Sequence, residues 1–238
     1  MKILGIDTTA KTATVALTDG TELIAEYSET TTSHSTVILP MIENMLSLTG
    51  HTVDDIDLFA VSAGPGSFTG VRIGVSTVKG LAFKNETPCI GISSLEALAA
   101  SFSGIDGIVV PVIDARRDTV YTAVFRSQTD GGITRLTEDA QMSIAELFDV
   151  LSQYDKTVYF TGDAYPKIMS YEGCPKCAHT PEKLSRQSAY GVCRAAYKMW
   201  NEAEDRSEFT DTNLVPIYLK KSQAERELEE KNQNNGVK

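Results

Sequence analysis

Alternating apolar and polar residues at the start of the chain indicate a meander of β-strands. The alternation predicts three strands, over residues 2–7, 12–17 and 22–27, with a turn at Asp19 and Gly20 before the third. A polar run at 30–35 then offers N-cap side chains for a helix over 36–48, which Gly50 closes. The order of the first elements is therefore βββα.

The pattern continues with alternating strands and helices. An apolar strand at 58–62 precedes a glycine-rich loop at 64–70 and a helix that reaches about residue 85, followed by a strand at 89–92 and a helix at 94–102. This βββαβαβα order is the half-unit of the fold shared by actin, the sugar kinases and the ATPase domain of heat-shock chaperones. We therefore predict an α/β protein with an actin-like (ASKHA) fold, whose N-terminal lobe spans residues 1–104.

A second lobe follows from an internal repeat. Shifting the sequence by 107 residues aligns identical residues, among them Asp7 with Asp114 and Thr12 with Thr119. Helices are predicted at 143–151 and 188–200, with a strand at 157–161 between them. The predicted C-terminal lobe spans 105–231 with a terminal helix, each lobe being built on a βββαβα-type mixed sheet, and residues 232–238 are predicted to be a disordered tail.

Composition limits the classes of partner. The chain has 238 residues, 42% of them hydrophobic, which is enough to fill two cores. No stretch approaches the roughly 18 uninterrupted apolar residues of a membrane helix, so we expect a soluble, cytoplasmic protein that does not bind membranes. The net charge of −10 opposes direct binding of a polyphosphate, so we expect contact with RNA only through another subunit.

The glycine-rich loop offers the most specific local signal. Gly64, Gly66 and Gly70 lie between a strand and a helix, where glycine permits close approach to a ligand and a helix N-terminus favours an anion. Asp7 and Asp114 each end the first strand of a lobe, where actin-like ATPases place carboxylates towards Mg-nucleotide. These five residues form a candidate nucleotide site that is weak or vestigial, and the alternative is a set of tight turns without a ligand.

Histidine and cysteine offer little for a metal site. The chain has three histidines, and no two are close enough in sequence to form a His-x-x-x-His pair. Cys174 and Cys177, with His179, resemble half of a zinc site, but structural zinc needs four ligands. We therefore predict no metal and reduced cysteines.

The first long helix has an unusually wide apolar arc. Its eight apolar residues, between Val37 and Leu48, spread over about 200° of the helix circumference, and packing on one sheet needs about half of that. Ile38 lies at the middle of the arc. Either another subunit covers part of this helix and of the next one, or neighbouring elements of the same chain bury both.

Five segments together closely resemble the TsaB/YeaZ family. They begin at Ile6, Ser33, Gly64, Ser93 and Ile113, and the longest is Gly-Pro-Gly-Ser-Phe-Thr-Gly-Val-Arg-Ile-Gly at 64–74. The resemblance implies an actin-like, non-catalytic subunit of the bacterial complex that forms N6-threonylcarbamoyladenosine next to the anticodon of tRNA. In that complex, the related subunit TsaD performs the transfer.

The resemblance also implies partners and a contact surface. The expected partners are TsaD, in a heterodimer, and the ATPase TsaE, with a homodimer as a further state of the isolated chain; no cofactor is required, although ATP or ADP could occupy the subunit interface. The predicted contact residues lie on the first two helices: His34, Ile38, Leu39, Met41, Ile42, Met45, Val71, Arg72, Val75 and Val78. Two enzymatic alternatives remain, an actin-like ATPase or small-molecule kinase, and a glycoprotease-like metallopeptidase.

Overall fold

The computed structural model describes residues 1–31 and 33–219. The first lobe contains five strands and three helices: β1 (Lys2–Asp7), β2 (Thr12–Asp19), β3 (Glu22–Thr30), α1 (His34–Thr49), β4 (Leu58–Gly64), α2 (Phe68–Phe83), β5 (Cys89–Ser93) and α3 (Ser94–Ala100). The second lobe contains six short strands and three helices: β6 (Gly107–Asp114), β7 (Thr119–Thr122), β8 (Phe125–Ser127), β9 (Ile133–Arg135), β10 (Ala140–Ser143), α4 (Ile144–Leu151), β11 (Val158–Thr161), α5 (Tyr165–Met169) and α6 (Ala189–Glu202).

The first sheet has the strand order β3-β2-β1-β4-β5. β1 pairs antiparallel with β2 and parallel with β4, whose seven residues are all buried. A parallel strand covered on both faces reads as a continuous apolar run, as β4 does. Because β1 and β4 run in parallel, their carboxyl ends meet at one edge of the sheet. Asp7 therefore lies beside Ser62 and the glycine-rich loop.

The two faces of this sheet are covered by different parts of the chain. Helices α1 and α2 pack on one face around Leu4, Val15 and Phe59. The other face is covered by α3 and α6. The helix predicted at 188–200 was assigned to the C-terminal lobe, but α6 packs on the sheet of the first lobe, where Cys193 lies close enough to Gly5 to require a glycine there.

The second sheet repeats the first with interruptions. β6 is its central strand, paired antiparallel with β7 and β8 and parallel with β11. β7 and β8 occupy the place of β2 but are separated at Ala123 and Val124, and β9 and β10 pair with them. The strands that the internal repeat aligns thus occupy equivalent positions in the two sheets, as a duplication requires.

Several helix ends carry local sequence signals, of which Gly50 was predicted. Gly50 ends α1 in the left-handed conformation (φ 72°), Ser93 caps α3, and Ser143 forms a capping box with Glu146 at the start of α4. The five-residue helix α5 was not predicted. The predicted charged helix at 224–231 and the disordered tail at 232–238 lie outside the described residues.

No helix in the described part of the chain is long and apolar enough to span a membrane. The cytoplasmic location stays a prediction.

Candidate functional site

Asp7, predicted to face a nucleotide, points into the protein. Its side chain is 1% exposed, and both carboxylate oxygens accept hydrogen bonds. Ser62 Oγ donates to one oxygen at 2.6 Å, and the backbone N–H and Oγ1 of Thr9 donate to the other at 2.8 and 2.7 Å. Desolvation raises the pKa of Asp7 above its usual value, and the bonds from Ser62 and Thr9 oppose that rise. The carboxylate organises the turn that follows β1.

The glycine-rich loop holds this same turn. Thr8 Oγ1 donates to the carbonyl of Gly70 at 2.7 Å, and the N–H of Ser67 donates to the carbonyl of Thr9 at 2.8 Å. A Cβ atom on Gly66 would lie 2.7 Å from the Thr9 carbonyl oxygen, and one on Gly70 would overlap the carbonyl oxygen of Thr8. The space left by the missing side chains of Gly66 and Gly70 is therefore filled by the backbone of the turn after β1.

Gly64, the third predicted glycine, contacts a different segment. Its φ of 116° lies in the region that favours glycine, and a Cβ there would overlap the carbonyl oxygen of Ile217. The N–H of Ile217 donates to the carbonyl of Ala63 at 2.7 Å. The segment after α6 thus runs across the carboxyl end of β4. The loop sequence alone gave no indication of this contact.

Asp114 has different surroundings from Asp7. It is exposed, and its Oδ1 accepts hydrogen bonds from Lys167 Nζ at 2.9 Å and from the N–H of Arg116 at 3.2 Å. Its own N–H donates to Asp163 Oδ1 at 3.0 Å. The two aspartates that the repeat aligns are therefore not an equivalent pair: Asp7 is buried beneath its turn, whereas Asp114 lies at the surface.

Most of the predicted contact residues belong to the chain's own core. Seven of the ten are buried against the first sheet: Ile38, Met41, Ile42, Met45, Val71, Val75 and Val78. The expectation that Ile38 lies at a boundary shared with a partner is corrected by its 1% exposure. The sheet and α2 together cover the middle of the α1 arc, because both pack on it. The edges of the arc, Leu39 and Leu48, stay exposed.

The other two predicted contact residues, His34 and Arg72, reach the surface at least in part. His34 Nε2 lies 2.7 Å from the carbonyl oxygen of Ala10, so it joins the start of α1 to the turn after β1. Arg72 extends over the ring of Phe68, 4.0 Å from its centroid, and its Nε donates to the hydroxyl of Tyr218 at 2.9 Å. Tyr218 stacks on Phe68 with centroids 4.8 Å apart. The sequence did not reveal this cluster, because Tyr218 is 146 residues from Arg72.

The solvent side of α2 has the composition of a helix-packing surface. Phe83 is 75% exposed and Ile73 is partly exposed, while Ser76 and Gly80 leave a shallow surface between them. Apart from its chain neighbours and the adjacent helix backbone, no atom of the described residues lies within 4 Å of the position that a Cβ on Gly80 would take. We call this surface the α2 outer face and define it by Thr69, Arg72, Ile73, Ser76, Gly80 and Phe83.

Comparisons with known proteins identify the family. The profile described as "TsaD: tRNA N6-adenosine threonylcarbamoyltransferase" matches residues 25–227. The tRNA threonylcarbamoyladenosine biosynthesis protein TsaB of Bacillus subtilis is 36% identical over 163 residues, which are 68% of this chain and 71% of that protein. The chain belongs to the TsaB/YeaZ family. The Escherichia coli TsaB protein is 38% identical over 133 residues, 55% of this chain and 58% of its own length.

A solved structure confirms the fold. YeaZ from Pseudomonas aeruginosa superposes with a TM-score of 0.76 at 25% identity, over 92% of this chain and 99% of that one. The predicted family and the actin-like fold are therefore both confirmed. The predicted nucleotide site and the predicted contact with another subunit stay predictions for this TsaB-family chain.

The cysteine pair of this TsaB-family chain lies on the second lobe. Cys174 and Cys177 are partly buried against the core of that lobe, and Cys177 Sγ lies 3.8 Å from Met169 Sδ. Desolvation, with the neighbouring Cys177 thiol, raises the pKa of Cys174. His179 is exposed. Within the described ranges, no three His, Cys, Asp or Glu side chains are grouped so that they could hold a metal ion.

Proposed function

We propose that this chain is the non-catalytic partner subunit of the bacterial system that forms N6-threonylcarbamoyladenosine next to the anticodon of tRNA, and that it binds and activates TsaD. The names of its Bacillus subtilis and Escherichia coli relatives support a role in this biosynthesis. The observation that carries the contact with another subunit is the exposed α2 outer face.

The α2 outer face suits a helix of a second subunit. Phe83 and Ile73 provide apolar area, and the small Ser76 and Gly80 allow a facing helix to approach closely. Fully burying an aromatic or branched aliphatic side chain contributes about 1.5–3 kcal/mol. Leu39 and Leu48, on opposite sides of α1, are also exposed.

The site at the end of β1 supports a non-catalytic role. Asp7 uses both carboxylate oxygens to hold its own turn, and Gly66 and Gly70 receive that turn instead of leaving a cradle for phosphate. An ATPase or kinase that used these groups would first have to undock Thr8 and Thr9. We therefore favour the subunit role over the actin-like ATPase and the metallopeptidase.

The remaining partners follow from the same proposal. In solution, the chain pairs with TsaD and works with the ATPase TsaE, and it meets tRNA only within the complex, since its net charge is −10. When TsaD is absent, the α2 outer face is available to a second copy of the chain. A nucleotide, if one is bound, lies at the interface between subunits, and all of this takes place in the cytoplasm.

A matched pair of substitutions tests the contact. Gly80→Arg fills the open space on the α2 outer face, where no part of the described residues meets a Cβ at this position. Ala145→Arg makes a similar change at an exposed position of α4 on the other lobe. The proposal predicts that Gly80→Arg abolishes co-elution with TsaD at a melting temperature no lower than that of wild type, while Ala145→Arg still co-elutes. Co-elution of Gly80→Arg with TsaD would refute the assignment of this face.

A further inference from the structure

The turn between β6 and β7 has an unusual backbone. Arg116 and Arg117 have φ values of 72° and 51°, which L-amino acids other than Asn and Asp rarely adopt. Two consecutive residues of this kind persist only where surrounding contacts hold them, and such conformations cluster at functional sites. Either a glycine or an asparagine would form this turn with less strain, so the turn shape alone does not explain two arginines.

The surrounding contacts fix the turn from both sides. Lys167 Nζ donates to the carbonyl oxygens of Arg117 and Thr119 and to Asp114 Oδ1. The Oγ1 and N–H of Thr119 donate to the carbonyl oxygen of Arg116 at 2.8 and 3.2 Å. Lys167 is only 28% exposed, so its ammonium group acts as an internal support for the turn. The backbone is therefore held in place whatever the two arginine side chains do.

Arg116 and Arg117 are both exposed, and neither forms an ion pair with another described residue. The arginine ion pairs among the described residues involve Arg126, Arg135 and Arg186, and neither Arg116 nor Arg117 forms one there. In a chain with a net charge of −10, exposed arginines have many carboxylates with which they could pair. A fixed turn that presents two free guanidinium groups is suited to bidentate recognition of an anion.

The equivalent turn of the first lobe has a different role. The internal repeat aligns Arg116 with Thr9, which is buried and docked on the glycine-rich loop. The two copies have thus diverged: one turn packs inward and the other carries positive charge outward.

The neighbouring charges leave the turn open to an anion. Desolvation raises the pKa of Asp163, and the charge of Lys11, in the first-lobe turn, opposes part of that rise. Lys11 is therefore close enough to Asp163 to interact with it electrostatically. Lys167 neutralises Asp114, and Asp118 is an exposed carboxylate beside the arginines. Two carboxylates near the turn, Asp118 and Asp163, form no ion pair among the described residues. They are outnumbered by the three cations Arg116, Arg117 and Lys11.

We propose that the Arg116–Arg117 turn is a phosphate-binding site. The phosphate belongs either to a nucleotide or, within the complex with TsaD, to the backbone of a tRNA, because the oxygens of both phosphates accept two parallel hydrogen bonds from a guanidinium. The site is separate from the α2 outer face, and its binding of a free phosphate compound does not require TsaD.

The test uses the full chain and titration calorimetry with three probes: inorganic tripolyphosphate and ATP are added to the chain alone, and an unmodified tRNA is added to the chain mixed with TsaD. The double variant Arg116→Asn/Arg117→Asn removes both charges with a residue that tolerates the left-handed conformation. The matched control, Lys84→Gln/Lys156→Gln, removes two exposed lysine charges that pair with Asp54 and Asp106 elsewhere. Melting temperatures establish that each variant is folded.

The proposal predicts that wild type and the control bind tripolyphosphate equally, and that the double variant binds at least about 10-fold more weakly, which corresponds to about 1.4 kcal/mol. A larger loss with ATP identifies a nucleotide as the source of the phosphate, and a larger loss with tRNA identifies the RNA backbone. Equal binding by wild type and the double variant, an equal loss in the control, or no binding of any probe at millimolar concentration would each overturn the proposal.

Discussion

Two glycines of α2 have opposite surroundings, and alanine substitution separates them. Gly70 faces the turn after β1, where a Cβ would overlap the carbonyl oxygen of Thr8 and lie 3.3 Å from Ser67 Cβ. Gly80, ten residues later on the same helix, has no atom of another described element within 4 Å of its Cβ position. We predict that Gly70→Ala destabilises the protein and that Gly80→Ala stabilises it.

The magnitude follows from what has to move. Carbon atoms in contact lie about 3.5–4.0 Å apart, so Gly70→Ala must push the Thr8 carbonyl away by more than an ångström. Such overpacking costs about 1–3 kcal/mol. Displacing the turn also weakens the bonds from Thr8 to Gly70 and from Ser67 to Thr9, each contributing about 1 kcal/mol. Alanine regains about 1 kcal/mol in helix propensity, which leaves a net loss of about 2–4 kcal/mol.

Thermal and urea unfolding followed by circular dichroism measure both changes. In a protein of this size, 1 kcal/mol corresponds to about 2–4 °C, so Gly70→Ala should lower the melting temperature by about 4–16 °C. Gly80→Ala should raise it by up to about 4 °C, because the only effect there is the gain in helix propensity. If Gly70→Ala were as stable as wild type and lost only nucleotide binding, the glycine-rich loop would be an open phosphate cradle and our reading of it would be refuted.

The remaining predictions concern core and surface positions. Ile38→Glu should unfold the protein, since it buries an unpaired carboxylate at a cost of several kcal/mol. Leu39→Glu, at a 47% exposed site, should change stability by less than about 1 kcal/mol. If urea unfolding showed Leu39→Glu to be the less stable variant, the orientation of α1 would be contradicted. Burial raises the pKa of Cys89 and of Cys193 to about 12. At pH 8 these two thiols should react more slowly with a disulfide reagent than the partly buried Cys174 and Cys177 do. Equal reaction rates for all four thiols in the native protein would contradict the burial of Cys89 and Cys193.

The sequence predicted most elements because their signals are local. Strand alternation and the Gly50 cap each depend on a few neighbouring residues, and the structure confirms them. The repeat also placed Asp7 and Asp114 correctly at strand ends. What local patterns could not supply was the packing partner of each face.

Ile38 illustrates the limit of the helical wheel. Periodicity identifies which residues share a face of α1. How much of the helix circumference is buried depends on where the sheet and α2 lie in space. The same limit applies to Gly70 and Gly80, which look alike in sequence, and to Tyr218, whose contact with Arg72 joins distant parts of the chain. The left-handed backbone of Arg116 and Arg117 could not be predicted either, because a dipeptide of two arginines carries no signal for it.

Reconstitution of threonylcarbamoyl transfer to tRNA tests the proposed function most directly. The purified chain, the purified partner TsaD and the two together are assayed with threonylcarbamoyl-adenylate and unmodified tRNA. Our account predicts no product from the chain alone, full activity from the mixture, and loss of that activity with Gly80→Arg but not with Ala145→Arg. Transfer by the isolated chain, free of TsaD, would contradict the account.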